Sequence, residues 1–156
     1  MAQWPGRTYK FVDKEFVLLP FGFGLHYTTF AYTDLSMTVT RDMDSATTSK
    51  GAIAVTVTNA GAVGSGTSVL AFLSRAGASP PAVGGEPARE LVGFAKIAHL
   101  APGARETVRL ALPRTAFTVV RRDGRRVAVA GVWAVAVGPL RREVVVDGDG
   151  NVVVAV

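Results

Sequence analysis

The sequence predicts an all-β domain built as a sandwich of two sheets. Short segments in which apolar and polar residues alternate recur along the chain, as expected for strands with one buried face. Val, Thr, Ala and Gly are plentiful, and eight prolines and 17 glycines supply turn residues between the segments. A single domain of 156 residues is also long enough to bury roughly 68–70% of its unfolded surface. The chain can therefore form a substantial core without help from disulfides.

The first strands are placed by their hydrophobic pattern. Residues 35–40 and 53–58 alternate strictly, and the second of these segments is the clearest strand in the chain. Residues 69–73 form a nearly continuous apolar run, which predicts a strand covered on both faces. Residues 91–100 predict a longer strand in which Gly93 is a candidate β-bulge.

The later strands are short and are separated by recognisable turns. Pro102-Gly103 predicts a type II turn, and Asp123-Gly124 predicts a two-residue hairpin turn. About seven to nine short strands with turn signals every 8–12 residues or so are typical of an immunoglobulin or fibronectin type III β-sandwich. The remaining strand candidates are residues 107–112, 119–120, 127–129, 133–137, 144–146 and 152–154.

The N-terminal region follows neither a helical nor a strand period. Residues 18–30 carry aromatics and leucines around Gly22 and Gly24, which allow backbone angles or close approaches that a side chain would forbid. We interpret residues 1–32 as an extended aromatic connector, the N-terminal strap, and residues 33–156 as the sandwich. The aromatics of the strap are expected to anchor the chain onto another surface.

Two segments of the strap resemble a known family. Residues 20–30 are similar to the Pro-Phe-Gly-aromatic-Gly-Leu-Ser-Tyr-Thr-Thr-Phe signature of glycoside hydrolase family 3, with His26 where serine is usual. Residues 5–11 resemble the upstream segment of its β-xylosidase and arabinofuranosidase branch, and residues 57–61, 90–97 and 100–103 match further motifs in order. The strap positions taken from these matches are Gly6, Arg7, Thr8, Tyr9, Pro20, Phe21, Gly22, Phe23, Gly24, Leu25, Tyr27 and Thr28.

The resemblance implies the C-terminal fibronectin type III-like domain of such a hydrolase. The family's aspartate nucleophile and its acid/base residue belong to other domains, and neither position has a counterpart in this sequence. We therefore expect an accessory structural module, inactive alone, whose partners are the catalytic domains of a β-xylosidase or β-glucosidase, either in cis or as a split partner. The chain would then be a fragment, a partial gene model or a split subunit. The family is usually secreted, although the sequence shows no signal peptide.

The expected packing against other domains has a structural corollary. If the strap contacts domains absent from this chain, its aromatics should be largely exposed or loosely ordered in the isolated chain. The residues concerned are Trp4, Tyr9, Phe11, Phe16, Phe21 and Phe23.

The residues themselves offer little catalytic chemistry. A retaining glycosidase needs two carboxyl groups about 5–5.5 Å apart, one with a raised pKa. Most of the 12 acidic residues lie in predicted loops or strand ends, and only Glu90 adjoins a strongly apolar run. The sequence has no cysteine, and its two histidines stand in separate segments. We predict no catalytic residue, no cofactor and no metal site.

A basic cluster leaves an alternative function open. Four arginines, Arg121, Arg122, Arg125 and Arg126, surround the predicted Asp-Gly turn, and the net charge of the chain is +5. They form either a solvated hairpin tip or, together with Arg141 and Arg142, the site of an independent module that binds an acidic, uronic-acid-bearing polysaccharide. Nucleic acid is disfavoured because no aromatic residue is interleaved with them. A membrane partner is disfavoured because no apolar run approaches about 20 residues.

Overall fold

The fold is that of a computed structural model, which describes residues 8–12, 14–41, 49–76, 87–113, 115–121, 123–147 and 152–154. The described part of the chain begins with a one-turn helix, α1, and a single 3₁₀ turn at Lys14–Phe16, and continues in strands. The elements are α1 (Thr8–Phe11), β1 (Phe30–Arg41), β2 (Ser49–Asn59), β3 (Ser65–Arg75), β4 (Glu90–Leu100), β5 (Arg105–Leu112), β6 (Thr118–Val120), β7 (Arg126–Ala128), β8 (Gly131–Val137), β9 (Leu140–Val146) and β10 (Val152–Val154).

The strands form two main antiparallel sheets. One sheet has the order β1-β2-β5, and the other has the order β10-β9-β8-β3-β4. The pair β6 and β7 makes a separate two-stranded hairpin. The prediction of an all-β sandwich is confirmed. The described part of the chain contains ten strands rather than seven to nine, because the short segments β6, β7 and β10 all pair.

The core lies between the two sheets and follows the predicted alternation. Ile53, Val55 and Val57 on β2 have no exposed surface, and Val135 and Val137 on β8 are equally buried. Burying each such side chain stabilises the fold by about 1.5–3 kcal/mol relative to leaving it exposed. The alternating residues of these strands therefore supply the interior of the sandwich.

The apolar run in β3 is covered on both faces, as predicted. Val69, Ala71 and Leu73 lie in the core, whereas Leu70 and Phe72 point to the opposite face and are half-buried. The outer face of the five-stranded sheet is therefore apolar along β3. This outward pair receives the N-terminal strap.

Two of the predicted backbone features are present. The amide of Ala104 donates to the carbonyl of Ala101 at 3.0 Å and Gly103 has a φ of +74°, as a type II turn requires. The register of β3 and β4 shifts between the pairs Ala71–Gly93 and Phe72–Leu91, which leaves an extra residue beside Gly93. This irregularity is the predicted bulge.

Three local predictions need correction. Arg121 and Arg125 close the β6–β7 hairpin through a 2.8 Å bond, so three residues and not two separate them. Gly124 has a φ of +80° and donates to the carbonyl of Arg121, which fits a three-residue hairpin loop. The strap is not extended throughout, because it contains α1 and the 3₁₀ turn. The first strand begins at Phe30, before the alternating residues 35–40 from which it was predicted.

The side chain of Asn59, the last residue of β2, connects three separate segments of the structure. It is fully buried, and its amide nitrogen donates to the carbonyls of Val63 and Leu100, both at 2.8 Å. Its amide oxygen accepts from the Thr28 hydroxyl at 2.6 Å and from the Gly61 amide at 3.1 Å. One amide therefore connects the strap, the β2–β3 loop and the last residue of β4, which belongs to the other sheet.

We predict that Asn59→Ala lowers the free energy of unfolding by about 2–4 kcal/mol, because it leaves the buried Leu100 carbonyl, the part-buried Val63 carbonyl and the Thr28 hydroxyl without their partner. Asn59→Asp should be at least as destabilising, since a carboxylate would face those carbonyls. Urea unfolding measures both changes. The control is Thr56→Ala, which removes an exposed hydroxyl pair with Thr107 and should change the free energy by no more than about 0.5 kcal/mol. Equal effects of Asn59→Ala and Thr56→Ala would contradict the role of the buried amide.

Candidate functional site

The candidate site is the N-terminal strap, which folds back over the outer face of β3 and β4. Its helix α1 is closed by a bond of 3.0 Å from the Val12 amide to the Thr8 carbonyl. Thr8 itself is exposed and has a φ of +65°. Gly6 and Arg7, which complete the upstream signature, lie outside the described residues. The helix turns the chain so that Tyr9 and Lys10 face the sandwich.

An aromatic cluster fixes the strap to β3. Tyr9 stacks on Phe21, with ring centroids 4.6 Å apart and planes 15° apart. Both rings meet Phe72 of β3 edge to face, at 5.8 and 6.0 Å. Each such aromatic pair is worth about 0.5–1.5 kcal/mol beyond the area that it buries. The two signature segments of the strap are thus joined to each other and to the sheet at one point.

Polar contacts with the start of β4 complete this first anchor. The Tyr9 hydroxyl accepts a bond of 3.1 Å from the Leu91 amide, and the Lys10 carbonyl accepts one of 2.8 Å from the Ala88 amide. The Lys10 ammonium forms a 2.8 Å ion pair with Glu90. The Arg89 guanidinium lies 4.6 Å from the centre of the Phe72 ring, within the range of a cation–π contact. The first anchor therefore combines hydrogen bonds to the main chain, an ion pair and contacts between aromatic rings.

The glycine-rich segment makes a tight turn against β3. The amide of Phe23 donates to the carbonyl of Pro20 at 2.9 Å, and Gly22 has a φ of +87°. A Cβ at Gly22 would overlap the Leu70 side chain, and a Cβ at Gly24 would overlap the His26 ring. Glycine is favoured at position 22, where the positive φ strains any other residue, whereas a Cβ at position 24 would require the exposed His26 ring to move.

A second anchor lies where the strap enters β1. The Thr28 hydroxyl donates to Asn59, and the Thr29 carbonyl accepts a 2.8 Å bond from the Ala60 amide. The His26 ring meets Phe30 edge to face at 5.1 Å. Gly61 allows this approach, because a Cβ there would overlap the Thr28 hydroxyl. The described part of the strap is therefore held to the sandwich at two places, near Tyr9 and at Thr28–Thr29.

The side of the strap that faces away from the sandwich is apolar and exposed. Leu18, Leu25 and Tyr27 are 95%, 87% and 94% exposed. Four further large apolar side chains of the strap are 48–58% exposed, namely Phe16, Leu19, Phe21 and Phe23. Tyr9 and Phe11 are half-buried, and Trp4 lies outside the described residues. The strap aromatics are thus partly anchored on the sandwich and partly presented to solvent, whereas the sequence predicted that they are largely exposed or loosely ordered.

Several contact residues were not identified from the sequence. Phe72 and Arg89 form the receiving surface for Tyr9, and Asn59 receives Thr28. Of these three residues, only Asn59 could have been singled out from the sequence, because it belongs to a matched family motif at the end of a predicted strand. The other two contacts join residues more than 60 positions apart, which no local pattern specifies.

The predicted polyanion residues are placed on the β6–β7 hairpin. Arg121, Arg125 and Arg126 are exposed, and Arg122 lies outside the described residues. The Arg126 guanidinium donates to the Thr118 hydroxyl at 3.2 Å. Asp123 accepts a bond of 3.0 Å from the Arg125 amide, and so it caps the loop.

Groups that could carry metal or acid–base chemistry were also compared in space. Within the described residues, no three His, Asp or Glu side chains gather as a metal site would require. Glu90, the acid beside the apolar run, is engaged by Lys10. None of the helices in the described ranges has the length and apolar character needed to span a bilayer.

The fold and the docked strap define a class of protein, a fibronectin type III-like β-sandwich with an attached N-terminal segment. A family model for the fibronectin type III-like domain matches residues 69–140. The chain belongs to this domain family, in the form found in family 3 glycoside hydrolases. The recognition made from the strap signatures is confirmed by this match and by the relatives that follow.

The similar proteins are much longer than this chain. An exo-1,4-β-xylosidase from Emericella nidulans is 34% identical over an alignment of 144 residues, which covers 85% of this chain and 18% of that protein. A probable β-glucosidase I from Neosartorya fischeri is 35% identical over 93% of this chain and 16% of its own length. The solved structure of a β-glucosidase from Streptomyces venezuelae, in complex with D-glucose, matches with a TM-score of 0.67 and 25% identity, over 92% of this chain and 20% of that one. The chain thus spans less than a fifth of the curated relatives named here.

We predict that Phe72→Ala releases the strap from the sandwich. The substitution removes two ring contacts from the outer face of β3 and leaves the inward core residues in place, so the free energy of unfolding should fall by only about 1–2 kcal/mol. Limited trypsin digestion after Lys10 and Lys14 should become at least about tenfold faster, because local opening of the strap costs less.

Val145→Ala is the matched control, since Val145 is 43% exposed on β9 and has no aromatic contact with the strap. Digestion of this variant should match that of the unchanged chain. Unaltered protection of Lys10 and Lys14 in Phe72→Ala would show that the aromatic cluster does not hold the strap.

Proposed function

We propose that this chain is a non-catalytic accessory module of a family 3 glycoside hydrolase. The strap, residues 1–32, would be the segment between the sandwich and the catalytic domains, and its exposed side would dock on those domains. The observation that carries the proposal is the exposure of Leu18, Leu25 and Tyr27 between two anchors on the sandwich, the Tyr9–Phe72 contact and the Thr28–Asn59 bond. Under this proposal the matched strap positions, from Gly6 to Thr28, act structurally.

The exposed side chains can contribute substantially to such an interface. Full burial of a leucine side chain is worth about 1.5–3 kcal/mol, and aromatic residues dominate interface energetics. A soluble domain rarely exposes large contiguous apolar patches unless they serve an interaction. The strap exposes seven large apolar side chains between Phe16 and Tyr27. We infer that their partner is an apolar surface of comparable extent.

The anchors prepare the strap for docking. Ordering a flexible segment at an interface costs about 0.5–1.5 kcal/mol for each immobilised side chain. The Tyr9–Phe21–Phe72 cluster and the Thr28–Asn59 bond hold the strap before any partner arrives. Much of this ordering cost is therefore met within the module, and the contact with a partner can be correspondingly tighter.

The partner and the substrate follow from the relatives. Because the chain is similar to an exo-1,4-β-xylosidase and to a probable β-glucosidase, we propose that its partner domains hydrolyse β-linked xylosyl or glucosyl residues, outside the cell. The chemistry would be carried by those domains alone. The module would stabilise them and fix their arrangement.

A chimera tests this function. The matched region of the Emericella nidulans xylosidase, 18% of its length, is replaced by this chain, and thermal inactivation of aryl β-xyloside hydrolysis is followed. The chimera should be active, whereas the isolated chain should show no turnover. Combining Leu18→Ser, Leu25→Ser and Tyr27→Ser should lower the inactivation midpoint of the chimera by about 3–6 °C, because an apolar interface is lost.

Two comparisons separate docking from folding. In the isolated chain the same triple variant should keep its unfolding free energy within about 0.5 kcal/mol, because the three side chains are already in solvent. In the chimera, Val120→Ser changes an apolar side chain that is 57% exposed on β6, and the midpoint should not move. A triple variant whose chimera is as heat-resistant as the unchanged chimera would rule out docking through the strap.

A further inference from the structure

A cleft lies between the β6–β7 hairpin and the adjoining ends of β3 and β4. Its volume is about 1100 Å³, slightly above the range of roughly 300–1,000 Å³ usual for small-molecule sites. One wall is the hairpin, and the opposite wall includes α1 of the strap. The side of the strap that is exposed, between Phe16 and Tyr27, does not contribute to it. The cleft is therefore separate from the proposed docking surface.

Basic side chains stand on both walls. Arg121 and Arg126 line the hairpin side, and Lys10 and Arg75 line the other. Of the described residues around the cleft, only Glu90 is acidic, and it is engaged by Lys10 at 2.8 Å. Because Glu90 offsets Lys10, the net positive charge of the lining comes from Arg75, Arg121 and Arg126. A concave surface with a net charge attracts ligands of the opposite sign. The lining therefore favours an anionic occupant.

Arg126 is held in position at the cleft. Its guanidinium donates to the Thr118 hydroxyl at 3.2 Å, and Thr118, itself buried, donates to the Thr115 carbonyl. This bond uses one of the five N–H donors of the guanidinium, whose planar fork matches a carboxylate. Arg125, the preceding residue, carries the same charge on the same hairpin but does not line the cleft. The two arginines differ in position and not in chemistry.

The floor of the cleft is rigid and apolar. Phe117 and Trp133 are buried and meet edge to face at 5.7 Å, and the Trp133 indole donates to the Val129 carbonyl at 3.0 Å. Phe117 has a φ of +63°, a backbone conformation that is strained for a bulky residue and persists only under firm packing. An apolar floor lowers the local dielectric constant, so the charges on the walls act more strongly.

We propose that this cleft binds an oligosaccharide that carries carboxylate groups, of the uronic acid class. The paired walls of basic groups select the carboxylates, while the hydroxyls of Ser74 and Thr115 and the apolar side chain of Phe11 suit the polar edges and apolar faces of sugar rings. A stiff chain of rings loses less conformational freedom on binding than an acidic peptide does. The membership of the chain in a family of glycosidase modules also favours a carbohydrate.

Calorimetry with trigalacturonate tests the site on the full chain. We expect saturable binding that weakens at least fivefold between about 0.05 M and about 0.5 M NaCl. Arg126→Gln should weaken binding about tenfold, as loss of a charge-assisted hydrogen bond predicts. Arg125→Gln should change it less than twofold. Arg126→Lys should fall between the two, because it keeps the charge and loses the fork. Unchanged thermal unfolding of each variant would show that the fold is intact.

Different outcomes overturn the proposal. Equal losses in Arg125→Gln and Arg126→Gln would show a diffuse attraction to the hairpin tip and no cleft site. Equal affinity for trigalacturonate and for neutral xylotriose would show that the charges do not select the ligand. Tighter binding of a hexaglutamate peptide than of trigalacturonate would replace the carbohydrate by an acidic peptide. No detectable binding of trigalacturonate at low salt would refute the site altogether.

Discussion

The structure depends above all on the buried amide of Asn59. This side chain satisfies all four of its hydrogen-bonding positions, with partners from the strap, from the β2–β3 loop and from the end of β4. Its main chain also bonds Gly103 and Ala104 in the turn that leads from one sheet to the other. An unsatisfied amide in this buried place would be costly, and so the surrounding segments have one arrangement. The entry of the strap and the closure of the sandwich are thereby set together.

The strap combines two roles that usually belong to separate surfaces. Toward the sandwich it behaves as part of the fold, with Tyr9 packed on Phe72 and bonded to the main chain of β4. Toward solvent it exposes side chains such as Leu18 and Tyr27, as the surface of an interaction module does. A β-sandwich of this size already has a complete core, so the exposed side chains add nothing to its own stability. A partner domain that covers these side chains would account for their exposure, and this is the basis of the proposed function.

Much of the fold followed from local pattern, and most of the site did not. The alternation in β2, the apolar run in β3 and the turn at residues 101–104 were predictable, because each depends on neighbouring residues alone. The β6–β7 hairpin was predicted to have a two-residue loop, but its loop has three residues. The loop length is set by the bond between Arg121 and Arg125, which the Asp-Gly pattern does not reveal. The short helix α1 was missed because its position is fixed by contacts with β4, some 80 residues away. The strap signatures located the region but did not specify which strands receive it.

The two anchors of the strap also determine which of its residues are free to change over evolutionary time. Residues at Tyr9, Gly22 and Thr28 are constrained by contacts within the domain. Between them, side chains such as Leu18 and Leu25 touch little of the domain itself, so substitutions there leave the sandwich intact. A lineage can therefore match this segment to a new neighbouring domain without redesigning the β-sandwich that carries it. Drift in the outward positions and constancy in the anchors would let one stable scaffold serve enzymes of different shape.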